Sequence, residues 1–305
     1  MQYDEKTIKT LLKNSRYKGE YCLNIVSIVL TLAVNILLIY ASYNLGTNPA
    51  IAETIANYTA ISYELIEYLS IFNSYAIVIL LLIICLLICF YNTSYRIKAG
   101  LKNLSIDAMP DKESYFLYEK YCKLLDIEMP TLFLNDSVYD STVFGVKIRG
   151  KKAIGISTRA YQDIIRRNDY HAFNYQVSLT LGSIYLGHCD LLFLLLTFWA
   201  RIIPFYNKMY SRALSYSTDR VAQILIGTYP LITSITRETS GMDFFDDETT
   251  EKLINSKEFN LTSFQKYIAI LYGARSEYPL PYFRLIKILE NDAKDKELIN
   301  NVLAQ

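Results

Sequence analysis

From Tyr21 to Ala52 the chain carries no charged residue, and Ile25–Tyr43 within it is mostly aliphatic. A run of that length satisfies its backbone within one helix and is long enough to cross a bilayer, which limits what the rest of the chain can build around it. A second apolar run, "YAIVILLLIICLLICFY" (Tyr75–Tyr91), spans with its flanking residues. Tyr40, Tyr43, Tyr75 and Tyr91 stand near the ends of the two runs, where amphipathic rings favour the interface. The first run has no clear small-x-small cleavage site and a second span follows it, so it reads as an uncleaved anchor rather than a signal peptide. The 52% hydrophobic content is high for a soluble chain and agrees with membrane segments.

The loops set the orientation. Lys6, Lys9, Lys13, Arg16 and Lys18 precede the first run, and Arg96, Lys98 and Lys102 follow the second. Ser42 to Asn73 contains no Lys or Arg, so the positive-inside rule predicts cytoplasmic ends and an outer loop. The chain divides into a cytoplasmic N-terminal segment (1–20), two transmembrane helices (21–92) with an outer loop (43–73), a main domain (111–228) and a helical C-terminal region (229–305). Within the main domain, 191–206 is apolar but interrupted by Arg201 and Pro204, as in a membrane-associated segment. With 31 basic and 30 acidic residues there is no charge excess to favour a nucleic-acid partner.

The main domain begins near Asp111. "KESYFLYEKYCKLLDI" has the pattern of an amphipathic helix, and "MPTLFLN" (Met129–Asn135) that of a strand behind a proline. "STVFGVKI" and "KAIGIST" flank "RGK" as a hairpin, and Ser157 or Thr158 caps the helix after it. A longer helix covers His171–His188, and another runs from about Lys208 to Ile226, stopping before Gly227 and Pro230. Pro281 opens the last helix. The fold class is therefore α+β, mainly helical with a small sheet or hairpin, preceded by two transmembrane helices.

"GVKIRGKK" (Gly145–Lys152) approaches a phosphate-binding loop, but Lys152 replaces the magnesium-binding hydroxyl and a strand-like segment follows instead of a helix. Nucleotide binding is rejected. The five cysteines, Cys22, Cys85, Cys89, Cys122 and Cys189, are scattered and include no C-x-x-C, which argues against a disulfide framework. His171 has no partner at ligand spacing and suits a surface position. His188, Cys189 and Asp190, with Asp219 on the later helix, form the one small polar cluster, without a second histidine at i+3 or i+4.

Several stretches carry a resemblance. "YEKYCKLLDIEMPTLFLND", "KAIGIST" followed by "RAYQDI", the "GH" of Gly187–His188, and "SRALSYSTDRVA" (Ser211–Ala222) come in the order helix, strand, hairpin, long helix, apolar segment, helix. In that order, behind two spans, the chain resembles the HtpX-type and CAAX-prenyl-endopeptidase family of membrane zinc metallopeptidases. The resemblance covers about Tyr115 to Ala222. It implies a zincin-like fold and an integral protein of a bacterial plasma membrane, with its main domain cytoplasmic. Ser211, Arg212, Asp219 and Ala222 match the family's second motif. The family's H-E-x-x-H helix holds zinc with two histidines and uses the glutamate as general base. At the matching positions this chain has Leu179, Thr180 and Ser183, and the third ligand position is Ser215. No other register restores the motif, because the only histidines, His171 and His188, lie seventeen residues apart.

The resemblance thus implies a degenerate member: a pseudopeptidase without a cofactor, which binds a peptide or membrane-protein segment. Its peptide-binding edge strand would be Ala153, Ile154, Gly155 and Ile156, with Arg212 and Asp219 as structural residues of the motif. Two alternatives stay open. One is an active peptidase with an altered zinc site at His188, Cys189, Asp190 and Asp219. The other is a membrane scaffold without ligand. The bilayer is the expected partner in each case. Reporter fusions at Asn57 and Gln305 test the topology: Asn57 is expected outside and Gln305 inside, and an external Gln305 overturns it.

Overall fold

The computed structural model describes residues 5–47, 57, 102–103, 109, 111–135, 143–148, 151–167, 170–240, 262 and 280–303. The second span at 74–92, most of the outer loop and the acidic stretch Asp243–Glu251 lie outside the described residues. Within them the chain is mainly helical with one small sheet, an α+β arrangement.

The N-terminal helices are α1 (Glu5–Lys13) and α2 (Lys18–Thr47). Among the described residues α2 is the one helix long and apolar enough to cross a membrane, over Lys18–Leu37. It keeps an apolar face open, with Ile25, Val26, Val29, Leu32, Ile36 and Leu37 exposed. Other residues on it dock onto the rest of the chain. Thr31 donates to the Leu196 carbonyl (2.8 Å), Tyr206 to the Leu23 carbonyl (2.7 Å), and Tyr210 to Asn24 Oδ1 (2.6 Å). The segment 191–206, read from sequence as membrane-associated, thus packs along α2. It consists of α6 (Leu191–Leu196), α7 (Phe198–Ile202) and the first turn of a long helix.

The sheet has strands β1 (Lys102–Asn103), β2 (Thr131–Asn135), β3 (Val143–Ile148) and β4 (Lys151–Ser157), in spatial order β1-β2-β4-β3. Helix α3 (Lys112–Leu124) precedes β2; its N-cap is Asp111, which accepts from the Ser114 amide. Tyr118 of α3 donates to the Pro130 carbonyl (2.5 Å), fixing where β2 begins. Helix α4 (Thr158–Arg167) leaves β4 under a Ser157 cap that accepts from the Ala160 amide at 3.1 Å.

One expectation is overturned here. The sequence reading gives Ala153, Ile154, Gly155 and Ile156 an open edge, but β4 lies inside the sheet. It pairs parallel with β2 on one side and antiparallel with β3 on the other. The hairpin accounts for one neighbour, and the crossover from β2 through β3 supplies the second. Period-two alternation does hold. Ile154 and Ile156 are wholly buried toward the helices, while Gly155 faces Phe133 and Phe144, whose rings leave no room for a Cβ.

Helices α5 (Tyr170–Tyr185) and α8 (Pro204–Ile226) form the centre of the domain. They approach closely at Gly182, where an added Cβ would lie 3.1 Å from Val221 Cβ and 3.2 Å from the Thr218 carbonyl oxygen. One core lies between this pair and the sheet and includes Ile154, Ile156, Phe173, Val177, Leu181 and Val221. Ile8, Leu11 and Leu12 of α1 belong to the same core, so the segment read as a separate N-terminal piece is packed into the domain.

A second core joins Tyr175 and Ala222 to α9 (Thr228–Ser240) and α10 (Pro281–Leu303) through Leu231, Ile232, Ile235, Leu285 and Ile288. Two buried ion pairs reinforce it. Asp219 takes both Arg284 Nε (2.8 Å) and Nη2 (2.6 Å), and Arg220 makes a two-point bond with Asp295. Removing one member of such a pair strands the other charge in the interior. Arg284→Met should therefore lower unfolding stability by about 3–5 kcal/mol. The double variant Arg284→Met/Asp219→Asn should recover part of that loss in denaturant melts, and equal losses for the two would contradict the pairing.

Candidate functional site

Of the four degenerate positions, Leu179, Thr180 and Ser183 lie on α5 and Ser215 on α8. Leu179 is half-buried against the second core. Thr180 is buried; its hydroxyl donates to the Gln176 carbonyl (2.8 Å) and its methyl faces β3. Ser183 Oγ meets Cys189 Sγ at 3.5 Å. Ser215 donates to the Ser211 carbonyl (3.0 Å), and its own carbonyl accepts from Thr218 (2.9 Å). Hydroxyls returned to their own helix in this way are satisfied without a ligand.

The space between α5 and the end strand β3 is filled. A Cβ placed on Gly145 would lie 3.0 Å from Ile184 Cγ1, 3.2 Å from Cys189 Sγ and 3.2 Å from Thr180 Cγ2. The Cys189 thiol also donates to the Gly145 carbonyl at 3.3 Å, so the turn after α5 ties down the strand. Burial raises the Cys189 pKa above that of an ordinary thiol.

The alternative zinc set is not assembled either. His188 is buried and directs Nε2 to Glu20 Oε1 at 3.1 Å. Cys189 is turned to Gly145 and Ser183, Asp190 precedes α6 as its N-cap residue, and Asp219 is held by Arg284. His188, Cys189 and Asp219 are thus each engaged by a different partner. Among the described residues no group of three or more His, Cys, Asp or Glu side chains is placed to hold a metal. Arg284 bridges Asp219 to the Tyr175 hydroxyl (3.0 Å), joining α5, α8 and α10. Arg212 lines an apolar groove beside Tyr216. His171 is exposed, as its isolation predicts.

The sequence reading missed one buried polar group. Glu20, in the first turn of α2, is wholly buried. Its Oε1 meets His188, lies 3.4 Å from Arg16 Nε and accepts from Asn24 (3.3 Å), whereas its Oε2 has no hydrogen-bond partner. Arg16 also donates to the Leu186 carbonyl (2.5 Å), the Tyr17 amide donates to Ser217 (2.9 Å), and the His188 ring stacks on Phe193 at 5.6 Å. The group pins the head of the apolar helix to the turn after α5 and to the middle of α8. A lone acid at the mouth of an uncharged run was the available signal; its partner lies 168 residues away.

No family model and no curated protein matches the sequence. The resemblance to membrane metallopeptidases therefore rests on the short motifs alone.

The packing at Gly145 can be tested directly. Gly145→Val suits a strand but pushes two methyls into filled space, and should cost about 1–3 kcal/mol in a denaturant melt. A neutral or stabilising effect would mean that the cleft is open.

Proposed function

We propose that this chain is a membrane-anchored pseudopeptidase: a zincin-like helix pair and sheet that serve as a scaffold without hydrolysing anything. The observation that carries this reading is the closed space between β3 and α5. Thr180, Ile184 and Cys189 meet Gly145 where the resembled family leaves room for a substrate beside its active helix. Two further features support it. The ligand and base positions are the neutral residues Leu179, Thr180, Ser183 and Ser215, and the hydroxyls at 180 and 215 are satisfied within their own helices. A buried glutamate without zinc to offset it would be costly there, and these residues avoid that cost.

The membrane part of the proposal draws on α2, whose exposed apolar face has the length a bilayer needs. With the lysine-rich N-terminal segment inside, the domain is cytoplasmic, and a bacterial plasma membrane follows from the resemblance.

A peptide-binding role is a second reading, moved from β4 to β3. Among the described residues strand β3 ends the sheet and pairs with β4 alone, so its other edge is the side on which an added strand would bond. The Cys189–Gly145 contact occupies the middle of that edge and favours the closed scaffold.

Metal analysis and a protease assay on the full chain in detergent test the main reading. Zinc far below one per chain and no cleavage of an unfolded protein substrate are expected. One zinc per chain, lost on His188→Ala, would establish the altered-site peptidase instead. A photoreactive residue at position 147 decides between scaffold and peptide holder: crosslinks confined to the chain support the former, and a captured membrane protein supports the latter.

A further inference from the structure

Two cavities flank the start of α2 and share a wall. The first, of about 370 Å³, lies between the α1–α2 connection, α8 and α10. Its lining holds five cations, Arg16, Lys18, Arg220, Lys287 and Lys294, and one carboxylate, Asp295. Asp295 is already committed to Arg220, while Arg16 lies beside Glu20 and Lys287 is paired with Glu290. Among the described residues, Lys18 and Lys294 have no carboxylate partner. Ser15, on the same wall, has a buried Oγ without a hydrogen-bond partner.

The second cavity, of about 510 Å³, is a groove on the other side of Tyr17 and Tyr216. Cys22, Leu23, Met209, Ala213, Leu280 and Phe283 line it. Tyr17 and Tyr216 belong to both cavities; their rings stand 5.3 Å apart, and the Lys287 ammonium lies 5.5 Å from the Tyr17 ring centre. Of its lining residues Met209 is exposed, and Tyr21 and Phe205, neighbours of the groove in sequence, are exposed as well.

A ligand that satisfies both cavities has an anionic head and an apolar tail. We propose that the pair forms a binding site for an anionic phospholipid, with the phosphate among Lys18, Lys294 and Lys287 and an acyl chain along Met209, Ala213 and Phe283. The location fits: the cations surround the first turn of α2, where headgroups lie if that helix spans. The charge imbalance favours an anionic head over a zwitterionic one. The mainly apolar lining of the second cavity favours a lipid over a free anion or an acidic peptide, neither of which would use the groove. This inference rests on the membrane reading of α2.

Two measurements on the full chain separate the two ideas. Flotation with pure phosphatidylcholine vesicles reports membrane association alone, and failure to float defeats the membrane reading. Native mass spectrometry in non-ionic detergent, with phosphatidylglycerol and phosphatidylcholine in equal amounts, reports the site. Retention of phosphatidylglycerol over phosphatidylcholine is expected. Lys18→Gln/Lys294→Gln should weaken that retention roughly thirtyfold, as two lysines near an anionic surface imply. Met209→Glu, an exposed position, should weaken it without disturbing the basic cavity. Equal retention of the two lipids, or indifference to both variants, overturns the proposal. So does full displacement by millimolar inorganic phosphate or by an acidic peptide, which would assign the basic cavity to that ligand alone.

Discussion

The arrangement depends on two adjacent residues of α8 with opposite charge. Asp219 and Arg220 each form a two-point bond with α10, to Arg284 and Asp295. Those partners are eleven residues apart, about 16 Å along the helix axis at the usual rise. Anchoring at two separated points fixes both the direction and the rotation of α10, which one contact could not do. Arg284 carries the constraint on to Tyr175 of α5, and the second core fills the space the three helices enclose. Buried pairs of this kind add little net stability over apolar packing, but they penalise any other docking of α10.

Features with a local cause could be read from the sequence. The apolar run became α2 because nothing in it interrupts a helix. Asp111 and Ser157 cap the helices that their side chains mark, and the hairpin turns where β-branched alternation stops at "RGK". Thr180 returns its hydroxyl to the previous turn, as its place on an apolar helix requires. Ser183 does not: it meets Cys189, because the chain turns back at Gly187, whose φ is +75°. Once that turn forms, position 189 lies over position 183.

What could not be read depends on contacts between distant parts. Whether a strand is central or terminal is set by its second neighbour, and for β4 that is β2, a parallel partner reached by a crossover. "KAIGIS" has the same alternation in either position. The polar cluster at α2 depends likewise on pairing Glu20 with His188, and neither residue type names the other. His188, Cys189 and Asp190 looked like a site because they are neighbours in sequence. In space His188 is directed to Glu20 and Cys189 to Gly145, since consecutive residues of a tight turn diverge.

The burial of α1 beside the sheet has a consequence for the order in which the chain can become native. Ile8, Leu11 and Leu12 share a core with Ile154, Leu181 and Val221, and the Tyr17 amide waits for Ser217. Residues 8–17 thus leave the ribosome long before the partners they pack against. Synthesis has to pass residue 217 before the amino-terminal turn can close, and residue 295 before α10 locks it. Until then α1, with its strongly one-sided apolar face, needs another surface to cover that face. If α2 spans a bilayer, as proposed above, the membrane interface beside it is the surface at hand, and it would shelter the unfinished core while the remainder is made.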